Sequence, residues 1–492
     1  MFRLTFIVFF LLSALRIHAQ YAPKREFRGV WIATVNNIDY PSRRDLTPKQ
    51  QRTEYTKILD TLRQKGINAV MMQIRPAADA FYAKSREPWS VWLTGKQGEA
   101  PKPAYDPLDF MIKSAHKHSM EFHAWFNPYR ASTDTNFSAL SPDHITRKHP
   151  EWFLVYDKKK LFNPGLPEVR KYVVQVIMDV VRNYDIDGVH FDDYFYPYTV
   201  LNDTLQDDQT FRDFPNGFTD KNDWRRNNVT LLIRMLSDSI RQTKPYIKFG
   251  VSPFGVWKNK SESAEGSDTQ AGQTTFTNLY ADIRLWLKEG WIDYVVPQVY
   301  FSNRHSKVNY EKLTDWWAKN SYGKHLYIGQ GSYKIAKDRD SAWFNPMQTG
   351  QQLRFNRQIP QIQGSVFFSC KTILRNPLGF ADSLQRDFYK NPALLPLMSW
   401  KNANPPEAPT KLKVKYKSRK VKLRWITTEA TTKYFGVYRF TEGSSENLLT
   451  VQVANNKRRQ KFIDKTASRK NRFHYGISAL DRLQNESEIV KK

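Results

Sequence analysis

The fold class that the sequence predicts is α/β: a (β/α)8 TIM barrel followed by a small all-β sandwich domain. Three observations lead there. Between residue 27 and about residue 390, short β-rich apolar runs alternate with longer amphipathic segments eight times. The connections leaving the first five runs are long, whereas return connections such as Lys65-Gly66 and Tyr184-Asp185 are short. Beyond Asn404 the hydrophobic period changes to two.

The strands are expected at 27–35 (FRGVWIATV), 67–74, 120–126, 186–192, 247–253, 292–299, 325–331 and 364–369. Their nearly continuous apolar character fits strands covered on both faces, paired in parallel through helical crossovers. Helices are expected at Pro48 to Lys65, Glu168 to Tyr184, Trp224 to Thr243 and Thr277 to Glu289. Proline in the first turn after Thr47, Leu166 and Asp106 marks three helix starts. A doubly wound sheet would carry a glycine-rich phosphate turn after its first strand. That turn here reads Thr34-Val35-Asn36-Asn37-Ile38-Asp39-Tyr40-Pro41, without glycine, and no cofactor is expected.

Residues 1–19 read as a secretory signal peptide: Arg3, then an apolar run from Leu4 to Leu15, then a short polar end with Ala19 at the cleavage position. That run is too short to span a bilayer, and no later segment reads as a transmembrane helix. The expected location is therefore periplasmic or extracellular. The barrel is assigned to 25–395, a proline-rich linker to 396–408 and the sandwich to 409–492. Short strands recur near 411–416, 421–425, 435–440, 449–453, 461–464 and 473–480, and the tail resembles a fibronectin type III module, with Trp425 and Tyr475 as its interior aromatics.

The lone Cys370 excludes an internal disulfide and ends an apolar run, so it reads as core. The formal net charge is +28, from 76 basic and 48 acidic residues, and residues 401–492 hold 22 of the basic residues against 8 acidic ones. An exported chain of this charge is not expected to bind nucleic acid. Anionic glycan or another envelope polymer suits the compartment, with the basic C-terminal module as a docking element.

Long loops leave the carboxyl ends of the strands, the face where barrel enzymes build their sites. Strand alternation turns His190 and Asp192 inward on the fourth strand, while Val189 and Phe191 turn out. Asp193 follows at once, beside Tyr194. Two adjacent carboxyl groups among aromatic rings are a place where proton affinities are pushed apart. The third strand repeats the pattern with His123, Trp125 and Asn127, then Arg130. The second points Gln73 and Arg75 inward and is followed by Asp79, and the sixth offers Gln298 and Tyr300. Amides, charged forks and aromatic faces in one ring are what sugar recognition requires. A metal-dependent hydrolase or deacetylase would use His123, His190, Asp192 and Asp193 instead, but the sequence has neither His-x-His nor His-Glu-x-x-His spacing, and no metal is expected.

Glu26 to Trp31, Gln73-Ile74-Arg75-Pro76, Phe122 to Arg130, Asp187 to Pro197 and Pro297-Gln298-Val299-Tyr300 together resemble the glycosyl hydrolase-like 10 family across roughly residues 25 to 390. The resemblance implies a barrel related in outline to retaining α-glycosidases, with the carboxylate after strand four as nucleophile. The family includes envelope glycosidases acting on peptidoglycan strands stripped of peptides. Asp192 is then the first candidate for the implied nucleophile, with Asp193 as its neighbour or, as the alternative, the nucleophile itself. Asp39, Asp79, Glu262, Glu265 and Asp268 are candidate acids on the same face, and Asp268 is favoured because Gly266-Ser267-Asp268-Thr269 also looks family-like. Denuded strands carry a lactyl carboxylate on alternate sugars, which Arg75 and Arg130 are placed to clamp. The remaining reading is a non-catalytic glycan-binding barrel.

Overall fold

Eight parallel strands close into a barrel in the order β1-β8-β7-β6-β5-β4-β3-β2. They are β1 (Phe27–Ile32), β2 (Ala69–Arg75), β3 (Glu121–Phe126), β4 (Gly188–Phe191), β5 (Lys248–Val251), β6 (Tyr294–Val295), β7 (His325–Gln330) and β8 (Ile362–Phe367). The computed structural model describes residues 22–133, 136–427, 429, 431–455, 457–467, 469–471 and 473–492. The expected signal peptide lies outside the described residues. Among the described residues, no helix is long and apolar enough to cross a membrane.

Each strand is followed by a helix: α1 (Pro48–Gln64), α2 (Pro107–Lys117), α3 (Pro167–Asn183), α4 (Lys221–Thr243), α5 (Ile283–Lys288), α6 (Tyr310–Lys319), α7 (Gln348–Gln358) and α8 (Cys370–Arg375). The helix starts lie where the caps predict. Thr47 and Gln50 form a reciprocal capping box ahead of α1, and the Asp106 side chain accepts from two backbone N–H groups of α2. The helix α5 is shorter than expected. Tyr280 sits in the left-handed region at φ 51°, which breaks the run, and Asp282 caps the helix only afterwards. Likewise β6 pairs over two residues instead of eight, because Pro297 has no N–H to donate. Pairing resumes only at single bridges from Gln298 to Phe254 and Gly329.

Two apolar layers follow from strand alternation. One lies between strands and helices, with residues such as Val30, Val70, Phe122, Val189 and Phe191. The other fills the barrel interior, with Phe27, Trp31, Met71, Trp125, Tyr294 and Tyr327. That interior layer is closed from below by Leu395 and Met398, together with Leu483 of the C-terminal module. The start of the stretch expected as a linker is therefore a plug for the barrel floor. Lys401 pairs with Asp293 at 3.0 Å and the Trp400 indole donates to the same carboxylate. After Lys401, residues 402–405 run exposed before Pro406 is buried again.

The module has two antiparallel sheets. One joins β9 (Thr410–Lys417), β10 (Lys420–Ile426) and β13 (Arg459–Asp464). The other joins β11 (Tyr434–Phe440), β12 (Asn447–Val453), β14 (His474–Leu480) and β15 (Val490–Lys491). Trp425 and Tyr475 are buried between them, as expected. The four-stranded sheet and its loops meet the barrel floor: Leu394 packs on Tyr434 and Leu480, Lys24 pairs with Glu486 at 2.8 Å, and Arg482 pairs with Asp185 and Asp187.

Because Met398, within the stretch expected as a linker, is 0% exposed, truncating it to alanine is expected to lower unfolding free energy by about 2–4 kcal/mol. Urea denaturation measures this. A free linker would change by less than about 0.5 kcal/mol.

Candidate active site

A buried hydrogen-bonded column runs along the barrel axis. The Trp31 indole donates to His190 Nε2 at 3.0 Å, and His190 Nδ1 lies 3.2 Å from the Tyr294 hydroxyl. That hydroxyl is 2.8 Å from His123 Nδ1, His123 Nε2 is 3.0 Å from Glu121, and Lys248 donates to Glu121 at 2.5 Å. With a single proton on each imidazole, one arrangement satisfies every contact. His190 accepts from Trp31 and donates to Tyr294, Tyr294 donates to His123, and His123 donates to Glu121. Burial holds the His190 imidazole far below its usual proton affinity, consistent with the neutral tautomer.

Asp192 and Asp193 stand above this column and line a cleft of about 440 Å³ at the carboxyl ends of the strands. Asn127 at the end of β3 donates its amide N–H to Asp192, and Gln73 in turn donates to Asn127 Oδ1 at 2.6 Å. The side-chain oxygen Oε1 of Gln73 is itself fixed by the backbone N–H groups of Thr34 and Val35, both at 2.9 Å. A relay from the end of β1 through β2 and β3 thus orients Asp192. Asp193 accepts from the Tyr198 hydroxyl and also bonds to Gln298. Burial raises both carboxyl groups, Asp192 to about 7, and each like-charged neighbour makes ionising the other harder. Arg130 opposes this, lowering both. The pair therefore titrates as a unit and keeps a proton near neutrality.

The Arg130 guanidinium lies 4.5 Å from the Tyr194 ring centroid and makes one long bond, 3.4 Å, to the Pro76 carbonyl. Trp31, Trp125, Tyr194, Tyr198, Tyr300 and Tyr333 supply aromatic walls. Trp125 Nε1 and Ser252 Oγ, on residues that line the cleft, have no hydrogen-bond partner among the described residues. Past Arg130, Tyr194 and Tyr198 the cleft continues into a groove of about 470 Å³ under the hairpin of Phe153–Tyr156 and Lys159–Phe162. A larger space, about 1140 Å³, lies between the barrel floor and the module, away from the Asp pair.

Of the residues expected at the site, Asp192, Asp193, Trp125, Arg130, Tyr194, Gln298 and Tyr300 line the cleft, and Asn127 supports it from beneath. The others serve elsewhere. His123 and His190 belong to the axial column beneath the cleft and do not line it. Arg75 is 1% exposed, forms a two-bond pair with Glu87 at 2.6 Å and donates to the Asn127 carbonyl at 2.5 Å, so it braces β3 and clamps nothing in the cleft. Asp39 accepts from Ala33 N, Ser369 Oγ and Lys371 N, stapling the loop after β1 to the start of α8. Asp79 is buried against Ala77 N and Ser90, where burial raises it to about 7. Asp268 is exposed, pairs with Lys312 at 2.6 Å and does not line the cleft. Glu265 is likewise taken by Arg284, and Glu262 by the Asn259 turn. Sequence reasoning missed Glu87, Tyr198 and Tyr333. Tyr198 lies in the aromatic run after β4 and was within reach, whereas Glu87 and Tyr333 carry no local signal. Among the described residues, no trio of His, Cys, Asp or Glu side chains is gathered where it could hold a metal ion.

A model of the family described as glycosyl hydrolase-like 10 matches residues 26–345. The chain is 43% identical to the glycosyl hydrolase YngK of Bacillus subtilis over 477 residues, covering 95% of this chain and 93% of that one. It is 37% identical to the glycosyl hydrolase DigH of Escherichia coli K12 over 364 residues, covering 69% and 82%. The glycoside hydrolase domain of PgaB (BpsB) from Bordetella bronchiseptica superposes with a TM-score of 0.49 at 11% identity, covering 74% of this chain and 99% of that one, too loosely to bear on the chemistry. The barrel, the Asp pair after its fourth strand and the match across 26–345 place this chain in the glycosyl hydrolase-like 10 family.

Proposed function

We propose that the protein is an exported glycoside hydrolase acting on bacterial envelope polysaccharide, with peptide-free peptidoglycan strands as the substrate. The observation that carries this reading is the buried Asp192-Asp193 pair in an aromatic cleft at the catalytic face of the barrel. Asp192, oriented by Asn127, is the nucleophile on the anomeric carbon. With Asp268 outside the cleft, Asp193 is the second carboxyl group and protonates the leaving oxygen, and water then releases the sugar from Asp192. A pair that keeps one proton near neutrality holds one group in each required state. Arg130, whose guanidinium makes a single 3.4 Å hydrogen bond among the described residues, is the group for a lactyl carboxylate. The cleft's continuation under the 153–162 hairpin suits a polymer lying across the pair. The three-plus-four sheet order supports reading the C-terminal module as fibronectin type III-like.

A non-catalytic glycan-binding barrel is the second reading. What favours it is that, among the described residues, the adjacent pair supplies the only carboxyl groups lining the cleft. The two readings separate on purified, peptide-free glycan strands. Asp192→Asn is expected to cut product release about a thousandfold or more while leaving strand binding and melting temperature intact. Wild-type chain that binds strands yet releases no sugar by mass analysis would establish the second reading.

The pH profile gives an independent check. With both carboxyl groups raised, kcat/KM is expected to be bell-shaped: it climbs as the first proton leaves the pair and falls as the second does. Arg130 lowers both groups, so Arg130→Gln is expected to move both limbs to higher pH by roughly one unit. Limbs that stay in place would remove the Asp pair from the rate law.

A further inference from the structure

The C-terminal module presents its other sheet, β9-β10-β13, away from the barrel contacts. Residues 408–428 contain eight lysines and arginines and no acidic residue. Strand register sets these charges side by side. Lys413 faces Arg424, which faces Lys461, and Lys415 faces Lys422. Neighbouring strands are only about 4.8 Å apart, and like charges directly opposite one another destabilise a sheet. Repulsion from Lys417, Lys420, Arg424 and Lys415 pushes the Lys422 ammonium below its usual proton affinity. Among the described residues, none of these cations has a carboxylate within ion-pair distance, although 33 such pairs occur elsewhere in the chain.

The charges also line a groove. A depression of about 830 Å³ crosses the sheet, and its charged lining is Lys411, Lys413, Arg424, Lys457, Arg459 and Lys461, with no acidic residue. A register shift between Thr410 and Lys413, with Lys411 in the left-handed region at φ 53°, re-aims Lys411 at one end. The amides of Asn455 and Gln460 add neutral hydrogen-bonding groups.

We propose that this groove is a second binding site, separate from the catalytic cleft, for a strand of carboxylate-bearing polysaccharide. Charge complementarity selects a polyanion. The row of cations along one depression matches the repeating charge of a polymer strand. The face also lacks the large apolar anchors of a membrane-seated surface, with Ile426 and Ile463 the partly exposed apolar side chains among its charges. The site holds polymer while the barrel cleft works at another point along it.

The test compares the full wild-type chain with the triple variant Lys413→Gln, Arg424→Gln, Lys461→Gln. The probes are polygalacturonate, neutral dextran and phosphatidylglycerol vesicles. Polygalacturonate binding by the variant is expected to fall about tenfold to a hundredfold, with sugar release from short soluble glycans unchanged and the melting temperature equal or higher. Wild-type binding is expected to vanish as ionic strength approaches about 1 M, where screening acts within about 3 Å. Equal binding by variant and wild type, equal binding of dextran, tighter binding of vesicles or salt-insensitive binding would each overturn the proposal.

Discussion

The hydrogen-bonded column from Trp31 through His190, Tyr294 and His123 to Glu121 and Lys248 is the constraint on which the rest of the barrel depends. It draws on β1, β3, β4, β5 and β6, so it locks the relative heights of five strands. A charged pair sits at its lower end, where Glu121 and Lys248 are nearly inaccessible to water. Burying such charges is tolerated only when every donor and acceptor is satisfied. Here the two carboxylate oxygens of Glu121 take Lys248 and His123, one each. At its upper end the strand heights determine that the next inward residue on β4 is Asp192, at the level of the cleft.

The two ends of the barrel are built on different principles. At the carboxyl ends, polar side chains point into open space, and their partners are long-range amides such as Asn127 and Gln73, which orient carboxyl groups while leaving the cleft accessible. At the floor, polar groups are consumed by packing. Asp293 takes Lys401 and Trp400, Asp187 takes His116 and Arg482, and Leu395, Met398 and Leu483 seal the apolar interior. The module is therefore part of how the barrel is closed. This rigid attachment also orients its basic three-stranded sheet away from the barrel floor.

Much of the architecture was legible in the sequence because it rests on local periodicity. Eight apolar runs, proline at helix starts and the change to period two near residue 410 are nearest-neighbour signals, and the barrel and the all-β module follow them. Asp192 and Asp193 were legible for the same reason, since alternation along one strand decides which side chains turn inward. Arg75, Asp39 and Asp268 were not. All three are polar residues at strand ends or in the loops that follow them, and only the partners brought to them across the fold distinguish a ligand group from a brace: Glu87 for Arg75, Ser369 and Lys371 for Asp39, Lys312 for Asp268. Those partners lie between 12 and 332 residues away.

The sequence by itself determined the fold class, the order of its elements, the Asp pair and the excess of positive charge in the C-terminal region, because each is a property of composition or of spacing along one segment. Only the tertiary structure decided that the expected linker begins as a floor plug, that both histidines lie below the cleft and that Asp268 lies outside it. It also decided that the lysines and arginines of three strands fall into one register. These depend on contacts between segments distant in the chain, and such contacts exist only once the barrel has closed and the module has docked beneath it.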